Sequence, residues 1–310
     1  MVNIYDTIVQ VTVFWLGAAI GSFLNVVVYR VPAGLSVIWP PSRCPQCLHQ
    51  LGMGENIPML GWLLLRGKCR HCRTPISVRY PLVEAATAII FVIVYNRFGI
   101  SIQTVGYSLL MCWLLALSLI DLDTMTLPNS LTQSGLMLGL IFQPIAGYVD
   151  HHSFLSSKEY LIQGILGMIL GIWIYDTIQL VGSLMVGQSA QGGGDAKLMA
   201  MIGAWFNWKF VLLSGAAAST LALIGFLIAA GNSMVRGGGI KSGSHQLLQR
   251  QPLGPFIALG ATIMLFAEDW LVNIYQQFMR SPYRDPCSLL LLLVLIALLF
   301  WTRRMRLSSS

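Results

Sequence analysis

An all-α polytopic membrane protein, with about eight or nine transmembrane helices and a small polar insert near its start, is the architecture this sequence predicts. Three observations carry it. Of the 310 residues, 55% are hydrophobic and only 10% charged, with a mean hydropathy of +0.70, whereas a soluble domain carries about 25% charged residues. Apolar runs at 8–28, 102–120, 160–180 and 255–271 reach the ~20 residues that cross a hydrocarbon layer as a helix. One stretch, roughly 31–80, breaks the pattern: seven basic residues fall between Arg30 and Arg79 against one acid, Glu55, and four of the six cysteines lie there. No internal repeat is evident.

The first apolar run reads as a retained helix rather than a cleaved signal. Residues 1–7 hold no Lys or Arg, only Asp6, and no small-residue cleavage site follows a short apolar core. That helix runs from outside to inside and ends near Arg30, so the insert is cytoplasmic. Spans over about 82–96, 102–120, 130–148 and 159–185 return the chain to a glycine-rich cytoplasmic stretch at 187–195. A short helix at about 196–207 rises only ~18 Å at 1.5 Å per residue; it is tilted, re-entrant or extended through Asp195. Spans over about 210–230, 255–275 and 287–302 follow, with a Gly/Ser/basic loop at 231–253.

This path puts thirteen basic residues inside and five outside, with Lys197 at the interface, the asymmetry that the positive-inside rule requires. The same asymmetry accounts for the net charge of +7 with no nucleic acid as partner. The lipid bilayer is the expected surrounding. Four regions follow: a first span at 1–30, the insert at 31–80, a membrane core at 81–276, and an additional helix with a basic tail at 277–310.

Within the insert, Cys44-Pro45-Gln46-Cys47 and Cys69-Arg70-His71-Cys72 are two CxxC pairs separated by 21 residues. A CxxC turn places two thiolates on one knuckle, and two knuckles complete a tetrahedral site, so Cys44, Cys47, Cys69 and Cys72 read as ligands of a structural Zn2+. Disulfides are disfavoured in the reducing compartment where the charge asymmetry puts the insert. All four positions of such a site are protein ligands, which leaves none for a substrate. Cys112 and Cys287 lie on apolar segments as packing residues.

A carboxylate in a membrane segment is expensive and marks function by default. Asp121 closes the 102–120 run in Ile120-Asp121-Leu122-Asp123, with Leu127-Pro128 after it. Asp195 follows Gly192-Gly193-Gly194 and opens the short helix. Both fall at the cytoplasmic face, so they can meet. Two carboxylates sharing a site do not both ionise cheaply; one stays protonated as acid while the other activates water as base, the division of labour in aspartic proteases. Taken singly, Asp195 could cap its helix and Asp121 could simply end its own. Asp176, within the 159–185 span, is a polar packing contact or a lumen residue. None of the five histidines lies in a span and no HExxH is present, which excludes an intramembrane metalloprotease and denies a membrane serine protease its base.

These residues resemble a known family. Gly192-Gly193-Gly194-Asp195-Ala196-Lys197-Leu198 is similar to the GxGD-x-K-L signature of the type 4 prepilin peptidases, and Ile120-Asp121-Leu122-Asp123 with Leu127-Pro128 to that family's other aspartate motif. Gly21-Ser22-Phe23-Leu24-Asn25-Val26-Val27, Tyr29-Arg30-Val31-Pro32, the CxxC pairs, Asn56-Ile57-Pro58, Gly61-Trp62, Arg79-Tyr80-Pro81-Leu82-Val83-Glu84 and Gly254-Pro255-Phe256 occur in the family's order, over roughly 17–262. Two departures stand out: Asn129 follows Leu127-Pro128 where the family often has Asp, and Ser189-Ala190-Gln191 precede the glycines where it often has an acidic residue and Met.

The resemblance implies a bacterial inner-membrane aspartyl endopeptidase that removes a short basic leader from prepilins and pseudopilins, after Gly, at the cytoplasmic face. It also implies N-methylation of the new N-terminus from S-adenosylmethionine, although no glycine-rich cofactor fingerprint is visible. Asp121 and Asp195 become the catalytic pair, with Gly192 and Gly194 shaping the turn, Lys197 an electrostatic neighbour and Asp123 beside the site. A transporter and a non-enzymatic assembly scaffold are the alternatives; the CxxC insert and the lack of repeated halves argue against the first.

Overall fold

The computed structural model describes residues 4–186, 193–235 and 252–280. All the regular elements among them are helical: α1 (Ile4–Arg30), α2 (Leu60–Leu64), α3 (Arg79–Phe98), α4 (Ile102–Thr124), α5 (Asn129–His151), α6 (Phe154–Val186), α7 (Gly194–Trp205), α8 (Trp208–Val235) and α9 (Gly254–Arg280). Met1–Met264 forms one compact unit and Leu265–Ser310 another. The helix predicted at 287–302 and most of the tail lie outside the described residues.

Helix boundaries follow local chemistry. Ser101 caps α4, its side chain accepting the Thr104 N–H, and Asn207 caps α8, its Oδ1 accepting the Phe210 N–H at 2.9 Å. Pro128, with no N–H to lose, stands at the start of α5. Gly99 ends α3 at φ 63. Several helices run past the ends expected from the sequence, two of them at their cytoplasmic-side ends as read there. Helix α4 runs a turn past Asp121 to Thr124, and α8 continues to Val235, into the stretch read as a loop from 231. In both, intrahelical bonding outlasts the apolar run, because hydropathy marks the membrane boundary and not the helix end.

Among the described residues, five helices are long and apolar enough to cross a membrane: α1, α3, α4, α6 and α8. The remaining elements of the membrane core are less apolar or shorter. Ile8, Val11, Trp15, Ile89, Ile93, Leu166 and Trp173 are exposed on these spans, the face a bilayer covers.

The first unit packs as two groups of helices. Helices α1, α3 and α4 share a core of Leu24, Val28, Val83, Phe91, Cys112, Ala116 and Ile120. The α1–α3 pair is antiparallel, with Gln10 donating to Asn96 at one end and Asn25 donating to the Tyr80 carbonyl at the other. Helices α5, α6, α7 and α8 pack together, and α4 contacts α5 to join the groups. Helix α7 is the centre of the second group. Ala196 and every residue from Leu198 to Trp205 are buried, so this twelve-residue helix is enclosed by protein instead of facing lipid. Backbone contact makes that possible: a Cβ on Gly203 would lie 2.3 Å from the Gly167 carbonyl carbon of α6. Its far end is pinned by Trp205, whose Nε1 donates to the Gly135 carbonyl at 2.8 Å, and by Gln143, whose Nε2 donates to the Phe206 carbonyl at 2.5 Å.

Candidate active site and metal centre

The insert is built from two copies of one turn. In the first, Leu48 N–H donates to the Cys44 carbonyl and Cys44 N–H to the His49 carbonyl; in the second, Arg73 N–H donates to Cys69 and Cys69 N–H to Thr74, all at 2.9–3.0 Å. Leu48 (φ 58) and Arg73 (φ 60) take the left-handed conformation that folds the chain back after each second cysteine. Single bridges, Arg43 with Gln50 and Lys68 with Pro75, close the two knuckles. This short repeat escaped the sequence reading because only the cysteines recur as letters; the rest is backbone geometry. The His49 and His71 rings stack across the join at 3.5 Å between centroids.

The knuckles bring the four sulfurs within 4.8 Å of one another. Cys44 Sγ lies 3.7 Å from Cys72 Sγ, and Cys47 Sγ 3.9 Å from Cys69 Sγ. A tetrahedral ion with metal–sulfur bonds of ~2.3 Å needs sulfurs about 3.8 Å apart, so the donor set and its spacing fit a metal. The Thr74 side chain and backbone bond to the Cys72 thiol, the hydroxyl at 3.2 Å, and pull its pKa down to about 6, toward the thiolate that a metal takes.

A buried carboxylate ties the insert to the helices. Glu84, 8% exposed on α3, accepts the Met59 N–H at 2.6 Å. Met59 stands at φ 59, ψ −48, outside the regions most side chains adopt, so Glu84 holds a backbone turn that would not be populated unaided.

Asp121 lies in the last turn of α4 and is 5% exposed. Its Oδ2 accepts the Gly254 N–H, the first residue of α9, at 2.9 Å. A Cβ at position 254 would come within 2.7 Å of that oxygen, so only glycine lets the start of α9 close on the carboxylate. Asp123, two residues on, faces away and is exposed, as helix geometry requires. Its Oδ1 pairs with Arg79 Nη1 at 2.7 Å, at the start of α3.

Asp195 is half-buried in the first turn of α7. It is not the cap, since Gly193 occupies that position. The helix starts at Gly194, which matches the reading that it extends through Asp195. Two contacts tie this turn to the chain just after Asp121. A Cβ on Gly194 would meet Leu127 at 3.1 Å, and Lys197 Nζ donates to Asn129 Oδ1 at 2.7 Å. Asn129, the departure from the family's Asp, is thus the residue that receives Lys197. Gly192 lies outside the described residues. Tyr175 of α6 comes within Coulombic reach of Asp195; nothing in the sequence singled it out, because a tyrosine in a span has no periodic or motif signal. Asp176, on α6, is exposed among the described residues, so it is not a buried packing contact.

The description "Bacterial Peptidase A24 N-terminal domain" matches residues 15–98, and "Type IV leader peptidase family" matches residues 108–228. The prepilin leader peptidase/N-methyltransferase of Stutzerimonas stutzeri is 35% identical over 289 residues, covering 86% of this chain and 93% of the relative. Proteins of the same name from Aeromonas hydrophila (34% identical; 85% and 92% covered) and Neisseria gonorrhoeae (32%; 87% and 94%) are similar. No solved structure matches the chain. The matched residues span both the four-cysteine insert and the two aspartates, and the chain belongs to the type IV leader peptidase family.

Proposed function

We propose that this protein is a bifunctional prepilin leader peptidase and N-methyltransferase. It cuts the basic leader from type 4 prepilins and pseudopilins at the cytoplasmic face of the bacterial inner membrane, and methylates the new N-terminus with S-adenosylmethionine as donor. Asp121 and Asp195 are the catalytic pair. The observation that supports this reading is that the Asp195 turn lies against Leu127 and bonds to Asn129, in the chain that leaves Asp121, while Asp121 itself is buried against the first N–H of α9.

In the cleavage step one carboxylate takes a proton from water, whose oxygen attacks the scissile carbonyl; the other, protonated, gives its proton to the leaving amide nitrogen. The enclosure of α7 keeps the Asp195 turn rigid. Gly194 contributes by close approach to Leu127, and Lys197 by its bond to Asn129. Asp123 acts at one remove, fixing the α4 end to Arg79.

Cys44, Cys47, Cys69 and Cys72 hold a structural Zn2+ that the chemistry does not use. The zinc insert (31–80) is cytoplasmic, the N-terminus is outside, the peptidase core is 81–276, and 277–310 is an addition. Co-expression with a prepilin, followed by mass spectrometry of the mature N-terminus, tests the whole reading. A leader cut after Gly and a methylated new N-terminus are expected. An uncut precursor beside an intact, membrane-inserted enzyme leaves a scaffold instead.

A further inference from the structure

A methyl-donor site needs a pocket of its own, because the Asp121–Asp195 region is committed to peptide cleavage. An open cleft of ≈290 Å³ lies between the C-terminal half of α1 and the loop leading into the insert. Ser22, Phe23, Val26 and Arg30 of α1 form one wall, Val37, Ile38, Pro40, Pro41 and Ser42 the second, and Asn56 with Pro58 the third. Ligand pockets run from about 300 to 1,000 Å³, so the cavity suits one compact small molecule.

Its walls divide by chemistry. Arg30 is half-buried and spends one N–H on the Ser36 carbonyl at 3.0 Å; the remaining guanidinium donors match the fork of a carboxylate. The Ser36 hydroxyl accepts the N–H groups of Ile38 and Trp39 at 3.3 and 3.2 Å, so the second wall is ordered. Ser42 and Asn56 offer polar groups, Phe23 and Val26 an apolar surface. Ser22 bonds to the buried Glu84 behind it, an acidic group set back from the wall by one side chain. A ligand with a carboxylate at one end, a cationic centre and a flat apolar base is complementary to this set.

The cavity also stands level with the peptidase residues. Leu24 and Val28, on the opposite face of α1 from Phe23 and Val26, pack against Ile120, the neighbour of Asp121. One helix, about 10 Å across, separates the two places.

We propose that this cleft binds S-adenosylmethionine, with its carboxylate on Arg30 and its base against Phe23, Val26, Val37 and Pro40. The inference rests on the bifunctional reading above. When bound, the donor supplies a methyl group: the nitrogen–carbon bond forms at the neutral N-terminal amine as the sulfur–carbon bond breaks, leaving a neutral thioether and releasing one amine proton to water.

The test uses the full-length, zinc-loaded chain in detergent with radiolabelled S-adenosylmethionine. Equilibrium binding and ultraviolet crosslinking with peptide mapping are read, neither of which needs turnover. Label on peptides within 19–58 is expected, as is a loss of affinity of about tenfold or more in Arg30→Ala, which removes the partner of a buried charge. Val26→Trp fills the cavity while leaving the Arg30–Ser36 bond in place, and should lose binding with zinc content unchanged. Label mapping elsewhere, parental affinity in both variants, or no binding by the parent chain overturns the proposal. Cleavage by the parent is scored separately: binding without cleavage sinks the peptidase reading alone, and cleavage without binding sinks this one alone.

Discussion

The insert and the centre of the membrane core keep their shape by opposite means. Between residues 31 and 80 only Cys44, Gly61, Gly67 and Cys69 are buried, whereas nine of the twelve residues of α7 are. Four buried residues in fifty cannot form an apolar core, so the insert depends on its knuckle turns, on the Glu84–Met59 bond and, in the reading proposed above, on an ion that the four thiolates would hold. Helix α7 depends on none of these. It is shaped by glycine-mediated contact with α6 and by the Trp205–Gly135 and Gln143–Phe206 hydrogen bonds at its far end. The lesson is that one chain can place a module with almost no apolar core, proposed to rest on a metal, beside a packing-dependent one, each failing for its own reason.

The largest effect separates the two regions. Cys44→Ser or Cys72→Ser leaves a three-thiolate site, and structural zinc contributes ~10–16 kcal/mol of apparent binding energy. Metal analysis should show the ion lost and limited proteolysis should cut within 31–80, while the helical circular dichroism of the core stays. If the purified parent carries no zinc with all four thiols intact, the metal half of the comparison is wrong.

Next comes the proposed catalytic pair. Asp121→Asn and Asp195→Asn are nearly isosteric, so insertion should survive, but an amide can neither accept nor return the proton. Leader cleavage should fall by ~10²–10⁴-fold in either single variant, and the double variant should be little worse, because the two act as a unit. Near-parental cleavage in either breaks the assignment. A requirement for Asp176 with Asp121 dispensable would move the site onto α6.

Overpacking tests the core directly. Gly203→Ala drives a methyl group into the Gly167 backbone, and overpacking of this kind costs about 1–3 kcal/mol. Thermal unfolding in detergent should shift down while zinc content is unchanged, the mirror image of the cysteine variants.

The smallest effect belongs to the exposed pair of Arg79 and Asp123, whose side chains are 41% and 40% exposed. Surface pairs contribute about 0–1 kcal/mol, so Asp123→Asn should cleave within a few-fold of the parent. An effect as large as that of Asp121→Asn would make Asp123 a member of the site.

Much of this was legible in the amino-acid order. Low charge and long apolar runs dictated a membrane protein, because hydrocarbon tolerates no unpaired backbone other than in closed structures. Two CxxC pairs announced a four-sulfur site, and Asp121 and Asp195 stood out because charge in an apolar run is costly. Each of these is a local signal, carried by residue type and spacing. Tertiary structure alone decided the rest. That α7 is enclosed by protein, that Gly254 seats α9 on Asp121, that Asn129 receives Lys197, and that Glu84 pins the insert through Met59 are contacts between segments 25 to 133 residues apart. Such contacts leave no periodic trace, since they depend on which faces the packed helices present to one another and not on what lies next in the chain.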